Sequence, residues 1–372
     1  MAEPALPPGH RVVVSEFGES PPDAIDRFVT LQPMDAPDPS TLSPSDVIVA
    51  VKSASVGWVD LLMTSGQYQH TASPPYTPGL EYAGVIAWKG PKATDAFAVG
   101  DRVLVDPFLA GPRSLGAYQR SGGWATYAVV PSEACLRVPG ALSLDAACNL
   151  LGNYETAYHC LVARGRLERG ETVLIHGASG ATGLAAVQIA KLLGAKVIAT
   201  GRSQQKLALV AAQGADHVVC TSEEEGGLKG LRDKVKALTG GRGVEVVYDG
   251  VGGDISVESL RCVAFGARFL IVGWAATPLV AKGKGGRGAP NANVLPTNLI
   301  MMKGLDVLGC PTAISTAYNP SIRAPRLAQV LAWADEGKIV PQVSHTFPLT
   351  DILAAMRAKW SGEITGGGVV HP

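Results

Sequence analysis

Between residues 11 and 139 apolar positions gather in short runs broken by Gly, Pro and Asp. The runs at 11–15, 28–31, 46–53, 82–88, 102–105 and 123–130 predict strands, and only residues 59–64 suggest a helix. Strands this short, spaced this closely, predict a β-rich, barrel-like domain. From about Leu144 the pattern changes. Apolar runs at 173–175, 197–200, 217–220, 245–248 and 268–272 alternate with helical stretches, one stopping at Gly194 and one covering 204–213. Such alternation predicts a parallel, doubly wound sheet. The run 305–309 reads as its last strand. A helix over 322–336 follows, and the tail from 342 carries a further helix and two extended pieces.

The segment 173–206, VLIHGASGATGLAAVQIAKLLGAKVIATGRSQQK, reads as strand, tight turn, helix and strand. In such a unit Gly180 stands where a dinucleotide pyrophosphate approaches the backbone, and Gly183 where the helix start lies against the sheet. Ser179, Ala181 and Thr182 complete the turn, and the helix N-terminus offers its N–H groups to phosphate. Ala178 occupies the first glycine position of the usual G-x-G-x-x-G spacing. At the end of the second strand stand Arg202, Ser203 and Lys206, with no carboxylate to take ribose hydroxyls. Two cations and a hydroxyl suit a 2′-phosphate, which points to NADPH rather than NADH. The competing reading is that these are solvated charges at a helix start.

A length of 372 residues suits two domains. Lys plus Arg and Asp plus Glu balance at 32 each, which gives no reason to expect nucleic acid or an acidic membrane as partner; a small-molecule substrate is the expectation. The six cysteines form no C-x-x-C pair, and neither a disulfide framework nor a zinc site is suggested. The opening MAEPALPPGH has no leader-like pattern and no run is long enough to span a bilayer, so a cytoplasmic protein is expected. The basic, Gly-rich stretch 282–293 reads as a surface insertion or a lid.

Three phrases are familiar in kind: PYTPGLEYAGVI at 75–86, VGDRVL at 99–104 and GGWATYAVV at 122–130. With the GASGATG turn they resemble the medium-chain dehydrogenase/reductase family, and most of all its zinc-free, zeta-crystallin-like quinone oxidoreductase and enoyl reductase branch. The resemblance implies an α/β protein with a β-rich GroES-like catalytic domain from both ends of the chain, 1–145 and 316–372, around a Rossmann domain at 146–315.

Zinc-dependent members hold their metal through a Cys and a His; the matching positions here are Gly57 and Leu80, so no functional metal is expected. Hydride transfer to an activated acceptor then remains, either the double bond of an enone or enoyl thioester or, as the alternative, a quinone. The branch commonly has Asn where Gly57 stands, and Asp60 three residues on reads as a helix-start residue. Tyr68 matches a tyrosine near the nicotinamide and is the candidate proton or hydrogen-bond donor, or else a pocket wall. Trp58, Asn153 and Tyr154 are candidates for the substrate pocket. Thr156, Gly250, Val251, Gly273, Trp274 and Asn298 match cofactor-contacting positions. Relatives pair their nucleotide domains through the last strand, which predicts a homodimer through 305–309. A reading of another class, a protein that binds NADPH or nucleic acid without catalysis, stays open.

Overall fold

The computed structural model describes residues 6–114, 116–277 and 293–372, and these form two compact units, 6–151 with 342–372 and 152–277 with 293–341. The insertion at 282–292 lies outside the described residues.

In the first unit the chain runs β1 (Gly9–Val14), α1 (Pro21–Arg27), β2 (Val29–Met34), β3 (Asp46–Ser55), α2 (Trp58–Met63), β4 (Tyr82–Lys89), β5 (Arg102–Val105), β6 (Tyr127–Pro131), β7 (Cys135–Arg137) and α3 (Leu144–Ala147). Strands β14 (Val343–Pro348) and β15 (Gly367–His371), with helix α12 (Ile352–Trp360) between them, complete it from the C-terminal end.

The main sheet runs β14-β15-β3-β4-β5-β7, while β1 and β2 form a separate antiparallel pair. Strand β3 is the organiser. One edge pairs antiparallel with β4; the other pairs with β6 along residues 46–50 and with β15 at Ala54 and Ser55. Its buried Val47, Val49 and Val51 join Val12, Val14, Ile86, Val103, Trp124 and Met356 of α12 in one core. Burial on both faces explains why this strand is a continuous apolar run rather than an alternating one.

The second unit contains α4 (Leu151–Tyr158), a π-helical turn over His159–Arg164, β8 (Thr172–Ile175), α5 (Ala181–Leu192), β9 (Lys196–Gly201), α6 (Gln204–Ala212), β10 (His217–Cys220), α7 (Leu231–Leu238), β11 (Val244–Asp249), α8 (Asp254–Ser259), β12 (Val263–Ile271), α9 (Thr297–Lys303), β13 (Asp306–Gly309), α10 (Thr312–Tyr318) and α11 (Arg323–Asp335). Among the described residues its sheet is wholly parallel, in the order β10-β9-β8-β11-β12-β13. The chain winds outward from β8 in one direction and from β11 in the other. The β8/β11 boundary is therefore the switch point, where a crevice opens at the carboxyl ends of the strands.

Residues 316–341, expected in the first unit, pack in the second. Glu155 of α4 receives Arg323 at 2.9 Å and Arg326 at 3.0 Å; Glu155 and Arg326 are each 3 % exposed at the side chain. Arg326 also donates to Thr316 Oγ1 at 2.8 Å. A buried carboxylate this well paired cannot be separated from its arginines cheaply, and that fixes α11 beside α4.

Candidate functional site

The Gly-rich turn sits at the switch point. Gly177, at φ 63°, lies against the strand-end turn that follows β11: a Cβ placed on it would stand 3.1 Å from Val251 Cγ2. The first bond inside α5 runs from Leu184 N–H to the Gly180 carbonyl at 2.9 Å. Ahead of it, the N–H groups of Ala181, Thr182 and Gly183 have no intrahelical acceptor and face outward at the positive end of a twelve-residue helix. Gly183 is buried, and a Cβ there would meet Gly177 O at 2.4 Å and Ala178 Cα at 2.7 Å. At Gly180 the nearest atom among the described residues would be Gly177 O at 3.4 Å. The first N–H groups of α5 and the positive end of its dipole meet at this turn, an arrangement that suits an anion.

Around it the structure gathers several of the expected residues. Asn153 of α4 accepts from Thr182 Oγ1 at 2.9 Å, and Thr156 lies half-buried one turn further along α4. Asp249 ends β11 and folds the next turn: its Oδ1 accepts from Val251 N and Gly252 N, each at 2.9 Å, and Ser256 donates to its Oδ2. Gly250 O in turn accepts from Ala275 N at 3.2 Å, which sets Gly250, Val251, Gly273 and the half-exposed Trp274 side by side at the ends of β11 and β12. Arg202 is exposed at the end of β9; Ser203 caps α6 by accepting from Lys206 N at 3.3 Å. Asn298 lies exposed on the first turn of α9, whose Leu299 and Ile300 pack on the core.

Tyr154 is not a pocket residue. It is 2 % exposed, and its hydroxyl donates to Gln188 of α5 at 2.8 Å, so it serves as an internal tie between two helices. His176, just before the turn, is likewise structural. Its two ring nitrogens pair with Thr200 Oγ1 at 2.8 Å and Ser259 Oγ at 2.6 Å, and burial holds the imidazole below its usual pKa.

In the first unit the focus is Asp60, on the first turn of α2 and fully buried. Its Oδ2 accepts from Gly57 N at 3.1 Å; its Oδ1 accepts from Gly79 N at 3.2 Å and Leu80 N at 2.9 Å. Burial pushes its carboxyl up to about 6, against the opposing pull of these three N–H bonds and of Arg113. The carboxylate thus clasps both positions, 57 and 80, at which zinc-dependent relatives carry ligands. Gly57 also has a local reason: a Cβ there would stand 2.8 Å from Asp60 Oδ2. Trp58, expected at a pocket, spends one face on Trp360 of α12, the rings parallel within 2° at 5.1 Å. Tyr68 lies half-buried in the segment after α2, and its carbonyl accepts from Thr71 Oγ1 at 2.8 Å.

Residues 43–140 match the profile of the alcohol dehydrogenase GroES-like domain, and residues 181–323 that of the zinc-binding dehydrogenases. The chain is 32 % identical to quinone oxidoreductase-like protein 2 of Bos taurus, over 84 % of this chain and 81 % of that one. This chain belongs to the medium-chain dehydrogenase/reductase family, in its quinone oxidoreductase and enoyl reductase branch. A mycobacterial protein solved as a complex with NADPH superposes with a TM-score of 0.76 at 26 % identity, covering 98 % of this chain and 100 % of that one. A stretch of the mycocerosic acid synthase-like polyketide synthase of Mycobacterium tuberculosis is 27 % identical over 87 % of this chain, although it forms only 14 % of that enzyme.

Three features of this family member were not visible in its sequence: the Asp60 clasp, the Glu155–Arg323–Arg326 cluster, and Arg113 beside Asp60. Asp60 had one signal, a carboxylate three residues past a helix start, which suits return bonding to the cap N–H. The others join residues far apart in the chain.

Proposed function

We propose that this chain is an NADPH-dependent reductase of the carbon–carbon double bond of α,β-unsaturated carbonyl compounds, enones or enoyl thioesters. The observation that carries the cofactor half is the Gly-rich turn at the N-terminus of α5, at the switch point of a parallel sheet. The NADPH complex of the mycobacterial relative supports it. Arg202, Ser203 and Lys206 follow the neighbouring strand, where a 2′-phosphate needs positive charge.

For the acceptor, the donor set supports this reading. Positions 57 and 80 offer no thiolate or imidazole, and Asp60 has committed its oxygens to their N–H groups. An unactivated alcohol needs a Lewis acid that these residues do not hold, whereas a conjugated carbonyl is already electron-poor. When bound, NADPH supplies a hydride to the β-carbon. What falls to the protein is the negative charge left on the carbonyl oxygen and the proton that the α-carbon then takes up. We assign this to the phenol of Tyr68, with Trp58 and Asn153 as positioning residues.

The test is single-turnover reduction of an enone by wild type and Tyr68→Phe, each saturated with NADPH. Loss of an oxyanion donor lowers turnover by about 2–4 kcal/mol of barrier with cofactor affinity kept. Unchanged rates in the variant remove Tyr68 from the mechanism. Quinone reduction is the second reading, favoured by the identity to the Bos taurus protein, and a panel of quinones, enones and enoyl thioesters separates the two. If no acceptor in the panel drives NADPH oxidation, the chain is a binding protein instead.

The same reading includes a symmetric dimer through β13, the terminal strand of the sheet. Beside it Phe265, Met301 and Met302 are 84 %, 74 % and 66 % exposed, an apolar surface that a second copy would cover. All six cysteines are free and buried, which suits a reducing compartment such as the cytoplasm.

A further inference from the structure

Two indoles of the first unit lie face to face. Trp58, the first residue of α2, and Trp360, the last of α12, have ring centroids 5.1 Å apart and planes within 2° of each other. Both are half-buried. Their anchorage differs. Ile352, Met356 and Trp360 recur every four residues and so share one face of α12; Ile352 and Met356 belong to the core, and Trp360 packs against it. Arg357 fastens the same helix to α1 through Asp26 at 2.7 Å, and Ser361 N closes its end on Arg357 O at 2.8 Å. Trp360 is therefore held by its helix, and the stack passes that constraint to Trp58.

Trp58 borders the place where the acceptor would react. Gly57 and Leu80 are the positions at which zinc-dependent relatives carry ligands, and the Asp60 carboxylate holds both, accepting from Gly57 N at 3.1 Å and from Leu80 N at 2.9 Å. The indole follows Gly57 directly, on the same first turn of α2. A lone indole has two side-chain torsions with which to swing aside for a wide ligand; one with a second ring flat against its face has lost that freedom.

Space lies next to the stack. A cleft of about 250 Å³ between α1 and α12 is lined by Pro22, Ile25, Asp26, Arg357, Trp360 and Ser361. Trp360 both stacks on Trp58 and lines this cleft, so truncating it joins the volume it vacates to a cavity already present and gives Trp58 room to move.

We propose that Trp360 is a specificity-determining residue that acts through Trp58: by backing the Trp58 indole it keeps one wall of the acceptor pocket rigid, so that this reductase discriminates against conjugated carbonyl compounds with a bulky aryl group at the β-carbon. The inference rests on the reading above that the chain reduces such compounds.

The experiment compares two probes, an enone with a methyl group at the β-carbon and one with a phenyl group there. Trp360→Leu keeps apolar cover over the core and removes the flat face. It is expected to shift the kcat/KM ratio toward the phenyl probe by about 5- to 10-fold relative to wild type, mostly through KM, the range that an aromatic contact spans. Trp360→Phe, which keeps a ring, should retain most of the wild-type ratio. Because Trp360 acts through Trp58, adding Trp360→Leu to Trp58→Leu should shift the ratio no further than Trp58→Leu alone. An unchanged ratio in Trp360→Leu overturns the proposal, as do equal losses for both probes or full additivity in the double variant. Should Trp360→Leu not fold, Trp58→Leu carries the test: the same shift supports the wall and an unchanged ratio rejects it. If wild type reduces neither probe with NADPH, the catalytic reading fails and the wall is tested by equilibrium dialysis of the two enones. Tighter binding of the phenyl probe alone in Trp360→Leu upholds it; no selective change rejects it.

Discussion

Two glycines of one turn, three residues apart, are held by different forces, and a methyl group at each separates them. At Gly183 a Cβ would stand 2.4 Å from Gly177 O, 0.6 Å inside the 3.0 Å that such atoms keep, and the obstacle is backbone rather than a side chain that can swing away. Gly183→Ala must push α5 off the turn, a strain of about 1–3 kcal/mol. For a unit of this size that lowers the melting temperature of the cofactor-free chain by on the order of 2–10 °C. At Gly180 the φ of −76° suits any residue and the nearest atom is 3.4 Å away. Gly180→Ala should therefore leave the cofactor-free stability within about 0.5 kcal/mol, because a small capping loss and a small gain from the stiffer unfolded chain offset each other. Its effect should fall on the ligand, with NADPH bound at least about tenfold more weakly, roughly 1.4 kcal/mol, because the methyl occupies the approach of the pyrophosphate. The assays are thermal unfolding without cofactor and NADPH fluorescence titration. A Gly180→Ala protein that binds NADPH as wild type does would refute this placement of the pyrophosphate, and an unperturbed Gly183→Ala would refute the packing argument.

Replacing Arg202 and Lys206 together by Ala should weaken NADPH by roughly 10- to 100-fold and NADH hardly at all; an equal loss for both cofactors in the same titration rejects the 2′-phosphate assignment. Asp60 sets a pH dependence whose sign is fixed by its raised carboxyl. Because the folded chain holds that proton more tightly than the unfolded one, the contribution is complete below about pH 3.8 and is lost as pH rises through about 6. Against Asp60→Asn, wild type should therefore lose about 2 kcal/mol of relative stability between pH 4 and pH 7, read from urea midpoints; a difference constant with pH contradicts it. Phe265→Asp should convert a dimer to monomers in analytical ultracentrifugation at micromolar concentration, and a wild-type chain that sediments as a monomer there rules out the β13 interface.

How far the sequence could be read depended on the range of the interaction. Strands such as Val244–Asp249 and helices such as Gln204–Ala212 follow from local period and caps, and the turn at 177–183 follows from glycine spacing. Helix α1 was missed although its signal is local: Ser20 accepts from Asp23 N at 3.3 Å ahead of a Pro-led turn. Seven residues carry too little apolar period to stand out against the strands on either side. Strand β7, only Cys135–Arg137, is shorter than one repeat of any pattern and exists because β5 offers it an edge.

The residues hardest to read were those whose partner is distant and whose type is compatible with several fates. Trp58 is large, flat and near a catalytic motif, so a pocket wall was a reasonable expectation. Nothing within its own segment announces that Trp360, some three hundred positions later, covers one face. Tyr154 lies in a phrase that resembles a cofactor-facing one, yet the side chain that satisfies its hydroxyl is Gln188 on another helix. Charge is the extreme case. Glu155 and Arg326 look like surface residues on amphipathic helices, and Asp60 at a helix start and Arg113 in a loop look unrelated. What separates the two pairs in the fold is satisfaction. Glu155 and its arginines meet directly and hold a helix in place. Asp60 gives its oxygens to backbone N–H groups, and Arg113 acts on it only through charge.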